Sequence, residues 1–239
     1  MSTEKNGSGR ATSVLFKTKE TFVRKKFIPP KNLTVVSHPV ILDMLTRMRE
    51  AKTDTATFWQ SLETISTLMC FEATKDLPIG HRQITTPLKR MNKAPVLAGK
   101  PPVFASIWRA GDGMLGGMRK IIPSASVAHV GLYRDHDTFA AKEYYFKCPL
   151  DIAEREVIVL DPMLATANSV IYALDKLKQA GAQSLRFVCL VSAPEGVIAL
   201  SNAHPDVRIF TAAVDSHLNE KNYIVPGLGD AGDRIFSTK

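Results

Sequence analysis

The sequence predicts an α/β protein: a central, mostly parallel sheet flanked by helices. Three observations carry this. From residue 103 onward, apolar runs of strand length alternate with runs of helical periodicity, the order that builds right-handed β-α-β crossovers. Val157-Ile158-Val159-Leu160 is wholly apolar and three-quarters β-branched, as a strand buried on both faces requires. That strand ends on Asp161, a small-residue turn follows, and an apolar-periodic helix opens after Ser169. Strand, acid, small turn and helix start is how an α/β protein brings an anion to the positive end of a helix.

Taken in order, residues 1–30 read as a basic, flexible leader ending at Pro29-Pro30, and residues 31–239 as one domain. Residues 33–36 predict a short strand or extended arm. His38-Pro39 introduces an amphipathic helix to about residue 50. A second helix spans about 55–73, with Phe58, Leu62, Ile65, Leu68 and Met69 at helical spacing as core or dimer-packing residues. Pro87 and Pro95 mark 84–97 as an edge strand or hairpin. Strand 103–107, a turn at 109–113, helix 114–121 and strand 126–132 follow. The connection 134–147 predicts a hairpin able to close over a ligand. Strand 157–160, helix 170–179, strand 186–191, helix 195–203 and strand 207–212 complete the alternation. Arg109, Arg134 and Asp161 each follow a predicted strand, so they should meet beyond the carboxyl ends of the sheet, where such folds bind ligands.

The chain of 239 residues is 45% hydrophobic, ordinary for a globular protein. No apolar run approaches the ~18 residues of a membrane span, so no membrane partner is expected. Cys70, Cys148 and Cys189 lack metal-ligand spacing and suit a reduced, cytoplasmic setting better than a disulfide framework. The net charge of +8 is concentrated at one end: the first 35 residues hold eight basic side chains against Glu4 and Glu20. The remainder is nearly neutral, and a nucleic-acid partner is not expected. Those two glutamates also argue against a transit peptide, and the final Ser-Thr-Lys is not a peroxisomal signal.

Five segments go further: Ile107-Trp108-Arg109-Ala110-Gly111, the run from His129 to Asp135, the run from Asp161 to Ser169, Ala193-Pro194-Glu195-Gly196, and the long run from Tyr223 to Asp233 that contains Pro226-Gly227-Leu228-Gly229-Asp230-Ala231-Gly232. In these segments, from Ser37-His38-Pro39 to the C-terminus, the sequence resembles the uracil phosphoribosyltransferases. The resemblance implies a type I phosphoribosyltransferase fold with a flexible hairpin and a small hood from the terminal segments. It implies conversion of uracil and phosphoribosyl pyrophosphate (PRPP) to uridine monophosphate (UMP) and pyrophosphate, a step of pyrimidine salvage. Magnesium (Mg2+) would arrive on PRPP. Relatives are at least homodimers, and some are GTP-activated homotetramers.

By the same resemblance, Arg109 and Arg134 contact the pyrophosphate, for which planar guanidinium forks are suited. Asp161 accepts from the ribose hydroxyls, and Asp161, Pro162, Met163, Leu164, Ala165, Thr166, Ala167, Asn168 and Ser169 form the PRPP loop. Backbone N–H groups and the hydroxyls of Thr166 and Ser169 would hold the 5′-phosphate, although Ser169 could equally be a helix cap. Arg134 could likewise pair with Asp135 or Asp137. Backbone groups of Ile224, Gly229 and Ala231 read the uracil edge, with glycine allowing close approach. Asp230 belongs to both the PRPP-binding and the uracil-binding sets and organises magnesium, water and pyrophosphate. Arg109, Arg134, Asp161 and Asp230 are thus the catalytic set. His129 and His204 read as structural, and Asp233 with Arg234 as a salt bridge bracing the loop.

Four positions, in two loops, depart from the family pattern. Ala167-Asn168 stands where two glycines are usual, Asp112 lies in the pyrophosphate loop, and Trp108 replaces a leucine beside Arg109. Asp112 should either help hold magnesium or repel the diphosphate. The expectation is an active enzyme with altered substrate affinity. The competing readings are a weakened relative kept as a nucleotide sensor or RNA-binding module, and an enzyme of the same fold using another base.

Overall fold

The computed structural model describes residues 13–18, 21–134 and 141–238. In chain order the elements are β1 (Ser13–Thr18), β2 (Thr21–Lys26), β3 (Leu33–Val35), α1 (Pro39–Arg49), α2 (Thr55–Thr74), β4 (Ile79–Thr85), β5 (Arg90–Leu97), β6 (Val103–Trp108), α3 (Asp112–Ile121), β7 (Ser126–Arg134) and β8 (Ala141–Lys147). After a short 3-10 turn come β9 (Glu156–Leu160), β10 (Met163–Leu164), α4 (Asn168–Gln179), β11 (Ser184–Ser192), α5 (Pro194–Ala203), β12 (Arg208–Val214), β13 (His217–Leu218), β14 (Ile224–Val225) and α6 (Ala231–Phe236).

The main sheet runs β3-β12-β11-β9-β6-β7-β8, with β10 pairing onto the end of β11. Every pairing in it is parallel except β7 with β8, so the predicted mostly parallel sheet is present. Alternation of side chains divides the core between its two faces. Phe104, Ile158, Leu160, Val188 and Phe210 pack against α1, α2 and α3. Val103, Ala105, Val157, Val159, Phe187 and Ile209 pack with Val170, Leu174 and Leu177 of α4 and Val197 and Leu200 of α5. Each of these five-to-nine-residue strands is buried on both sides, which is why an unbroken apolar run, rather than alternation, marked them.

The helices begin where their caps dictate. His38 Nδ1 accepts from the Val40 N–H and Pro39 occupies the first turn of α1. Asp54 Oδ1 accepts from Thr57 N–H at the start of α2, whose Phe58, Leu62, Ile65 and Met69 are fully buried. The β4-β5 hairpin is as expected but starts at Ile79. Residues 79–83 are mostly exposed, so no apolar alternation signals them. Two further hairpins were not foreseen: β13-β14, and β1-β2 within the segment read as a leader. Phe27, 7% exposed, belongs to the core, so the packed body begins before Pro29-Pro30. Residues 135–140 of the expected lid lie outside the described residues.

Candidate active site

A cleft of about 510 Å³ opens beyond the carboxyl ends of β6, β7 and β9. Four stretches of chain line it: 108–110 after β6, Leu132 and Tyr133 at the end of β7, Asp161 with 163–170 after β9, and the C-terminal residues 221–224 and 229–232. Arg109, Asp161, Met163, Leu164, Ala165, Thr166, Ala167, Asn168, Ser169, Ile224, Gly229, Asp230 and Ala231, gathered from across the sequence, therefore share one cavity. Pro162 is the exception. It is buried behind the loop, where its carbonyl accepts from the N–H groups of Leu190 and Val191. Arg134 closes β7 opposite Ala141, and its side chain lies outside the described part.

The loop after β9 is shaped from both ends. Asp161 Oδ1 accepts from Met163 N–H, turning the chain immediately after the strand. Underneath, Gly196 of α5 meets the loop so closely that a Cβ there would lie 2.2 Å from the Ala165 carbonyl oxygen. This explains why the segment Ala193-Pro194-Glu195-Gly196 matters without lining the cleft. The loop enters α4 through Ala167, whose φ is 70° and ψ −3°, and no side chain caps the helix. Ser169 is thus not the cap, and the first-turn N–H groups of α4 face the cleft region without intrahelical acceptors. The left-handed residue is Ala167, while Asn168 is already helical. That puts about 1–2 kcal/mol of strain at the position where a glycine would carry none.

Arg109 follows β6 through a cis Trp108–Arg109 peptide and remains 57% exposed, with Nη2 3.6 Å from Asp233 Oδ1. Asp112 does not line the cleft. Its carboxylate accepts from Ser106 Oγ at 2.6 Å and lies 3.4 Å from His129 Nδ1, so its partners in this structure are the strands β6 and β7. Trp108 stacks on Tyr145 of β8, with ring centroids 4.9 Å apart and planes within 9°, and also packs against His129. The larger side chain thereby ties the Arg109 loop to the β7-β8 hairpin.

At the other wall, Asp230 caps α6 by accepting from Asp233 N–H. The predicted Asp233–Arg234 bridge does not form. Arg234 instead donates to the carbonyls of Met48, Leu228 and Glu50 and lies over the Phe58 ring, tying the C-terminal loop to α1 and α2. Lys221, Asn222 and Tyr133 also line the cleft and were not assigned from the sequence, while Tyr223, the first residue of the run expected against uracil, lines it as well. Lys221 and Tyr223 both donate their N–H groups to Asn219 Oδ1, so a local asparagine turn presents them, a weak signal in sequence.

A family model described as uracil phosphoribosyltransferase matches residues 35–238. The chain belongs to the uracil phosphoribosyltransferase family. Proteins of that name from Rhizobium leguminosarum bv. trifolii and Brucella canis are 57% and 58% identical to it over 207 residues. Those alignments take in 87% of this chain and 99% of each relative. Among solved structures, the AQ2163 protein from Aquifex aeolicus is similar with a TM-score of 0.82 at 30% identity, covering 87% of this chain and 99% of that one. The uracil phosphoribosyltransferase match spans all four segments that line the cleft and begins just before α1.

Proposed function

We propose that this chain joins uracil to PRPP, releasing pyrophosphate and forming UMP for pyrimidine salvage. The observation that supports this best is the convergence of Arg109, Asp161, the uncapped start of α4 and the 224–231 loop on a single cleft. In this reading the N–H groups around 165–169 take the 5′-phosphate, and Asp161 accepts from the ribose hydroxyls. Arg109 and Arg134 neutralise the diphosphate as it departs. Uracil N1 forms its bond to ribose C1 as the bond from C1 to the diphosphate oxygen breaks, and the N1 proton leaves to solvent. No side-chain nucleophile is needed, so rate enhancement comes from alignment and from stabilising leaving-group charge. In this reading backbone groups of Ile224, Gly229 and Ala231, all lining the cleft, read the carbonyl and N–H pattern of uracil, which cytosine does not present.

Mg2+ belongs in this reading as a companion of PRPP. Among the described residues no cluster of three or more acidic, histidine or cysteine side chains forms a cage. Magnesium is commonly held by one or two carboxylates together with substrate phosphates, and among the described residues Asp161 and Asp230 are the carboxylates lining the cleft. We extend the proposal to a cytoplasmic homodimer or homotetramer whose response to GTP is read by assaying with and without that nucleotide. The sensor or RNA-binding alternative finds no support in the relatives, which bear an enzyme name over almost their whole length. Incubation with uracil, PRPP and magnesium tests the proposal: UMP formation is expected, and folded protein that makes none would refute it.

A further inference from the structure

Between α1 and the C-terminal wall of the cleft lies a closed ring of hydrogen bonds that no part of the mechanism uses. Arg49, in the last turn of α1, donates Nη2 to Asp215 Oδ1 at 2.7 Å and Nη1 to Asp215 Oδ2 at 2.8 Å. The same Nη1 donates to the Gly227 carbonyl at 2.7 Å, and Gly227 N–H returns to Asp215 Oδ2 at 2.8 Å. The carboxylate of Asp215, just after β12, is only 6% exposed. Neither charged residue lines the cleft. Their common target is one residue, Gly227, held through the N–H of the peptide before it and the carbonyl of the peptide after it, between Ile224 and Gly229.

We infer that Arg49 and Asp215 are positioning residues for base recognition, acting through Gly227. This rests on the reading of 224–231 as the uracil loop. A base read by backbone groups cannot be accommodated by a change of rotamer, so the loop must be in place before the base arrives. Gly227 has φ 61°, and a Cβ there would sit 2.2 Å from the Ile224 carbonyl oxygen. The turn is therefore tight, and its shape follows from whatever holds the two peptides that flank Gly227. A buried carboxylate bonded to both a guanidinium fork and a backbone N–H is a rigid anchor. An ordinary salt bridge joining α1 to β12 would need no bonds to the loop, whereas here both polar groups of Gly227 are engaged.

The test is steady-state kinetics of the full chain with both substrates varied. Arg49→Lys keeps the charge and loses the fork. Asp215→Asn keeps an acceptor for Gly227 and loses the charge. Both should raise the KM for uracil about tenfold and leave the KM for PRPP within about twofold, because the disturbed contacts belong to one substrate. Asp76→Asn, which loosens an ion cluster at the opposite end of the sheet, should change neither KM and controls for stability. A parallel rise in both KM values, or a lowered melting temperature with unchanged KM values, overturns the inference. Gly229→Ala separates the two levels of the reading. If it moves the uracil KM while Arg49→Lys and Asp215→Asn do not, the positioning role alone fails. If it moves only the PRPP KM, the loop assignment fails and the inference falls with it.

Discussion

Arg109 Nη2 stands 3.6 Å from Asp233 Oδ1, so an ion pair joins the loop leaving β6 to the first turn of α6. The arginine is more than half exposed, and a pair of that kind contributes only ~0–1 kcal/mol to folding. In the proposed reaction, the pair holds the guanidinium at the cleft until the diphosphate competes for it. Arg109→Lys should therefore leave stability within about 0.5 kcal/mol in urea unfolding. It should lower kcat/KM by roughly 10²-fold, since an ammonium cannot offer the fork that a diphosphate takes. An unchanged rate would remove Arg109 from the site.

Ala167 decides whether the altered loop works. Its backbone occupies the left-handed region, which costs alanine about 1–2 kcal/mol. Glycine relieves that strain but gives back roughly 0.4–1 kcal/mol through the greater freedom of its unfolded chain. It also forfeits a buried methyl. Ala167→Gly should thus be close to neutral in stability, while lowering the KM for PRPP by letting the backbone approach the phosphate. Ala167→Val forces a β-branched residue into the same conformation and should cost at least about 2 kcal/mol. Urea unfolding and PRPP kinetics on the pair of variants check both halves.

The three thiols report on the same packing. Burial pushes Cys70 and Cys189 up to about 12, and raises Cys148 as well. At pH 8 a thiol titrating near 12 is about one part in 10⁴ thiolate. Maleimide should therefore label native protein slowly at half-buried Cys148 and spare the other two. All three should react once the chain is unfolded. Prompt native labelling of Cys189 would contradict the buried β11.

What the sequence revealed followed from locality. Runs such as Val157 to Leu160 announce a doubly buried strand because every neighbour in the sheet is apolar, whatever its distance along the chain. The loops 108–110 and 161–170 were legible because each sits at the end of such a strand, whereas the C-terminal wall at 221–232 follows no such strand and was marked by the family resemblance alone. The Arg49–Asp215–Gly227 ring was not, because its members lie 166 residues apart and nothing local marks either charge. Arg234 misled for the same reason: an adjacent acid suggests a pair, yet the side chain reaches back to the carbonyl of Met48. Pro162 belongs to the loop in sequence but faces the sheet, since its carbonyl closes the β11 ladder.

Far from the cleft, Asp76 joins the ends of three elements by bonding Arg186 and Arg208 at the amino ends of β11 and β12. Partial desolvation pushes its carboxyl up, but the hydrogen bonds and charges of the two arginines outweigh this and hold it at about 2, below the ordinary 3.8. A carboxyl depressed on folding stabilises the protein above its unfolded value, and that contribution disappears as pH falls through the folded one. The window is therefore pH 4 down to pH 2. The side chain is 45% exposed, so solvent screening trims the effect to about 1 kcal/mol. Arg186 keeps Glu156 and the Ala73 carbonyl as partners when Asp76 is neutralised, which prevents a stranded buried charge. Asp76→Asn should cost about 1 kcal/mol at pH 7 and almost nothing near pH 2, measured by urea unfolding across that range. A pH-independent difference between variant and parent would mean that the cluster holds by shape and not by charge.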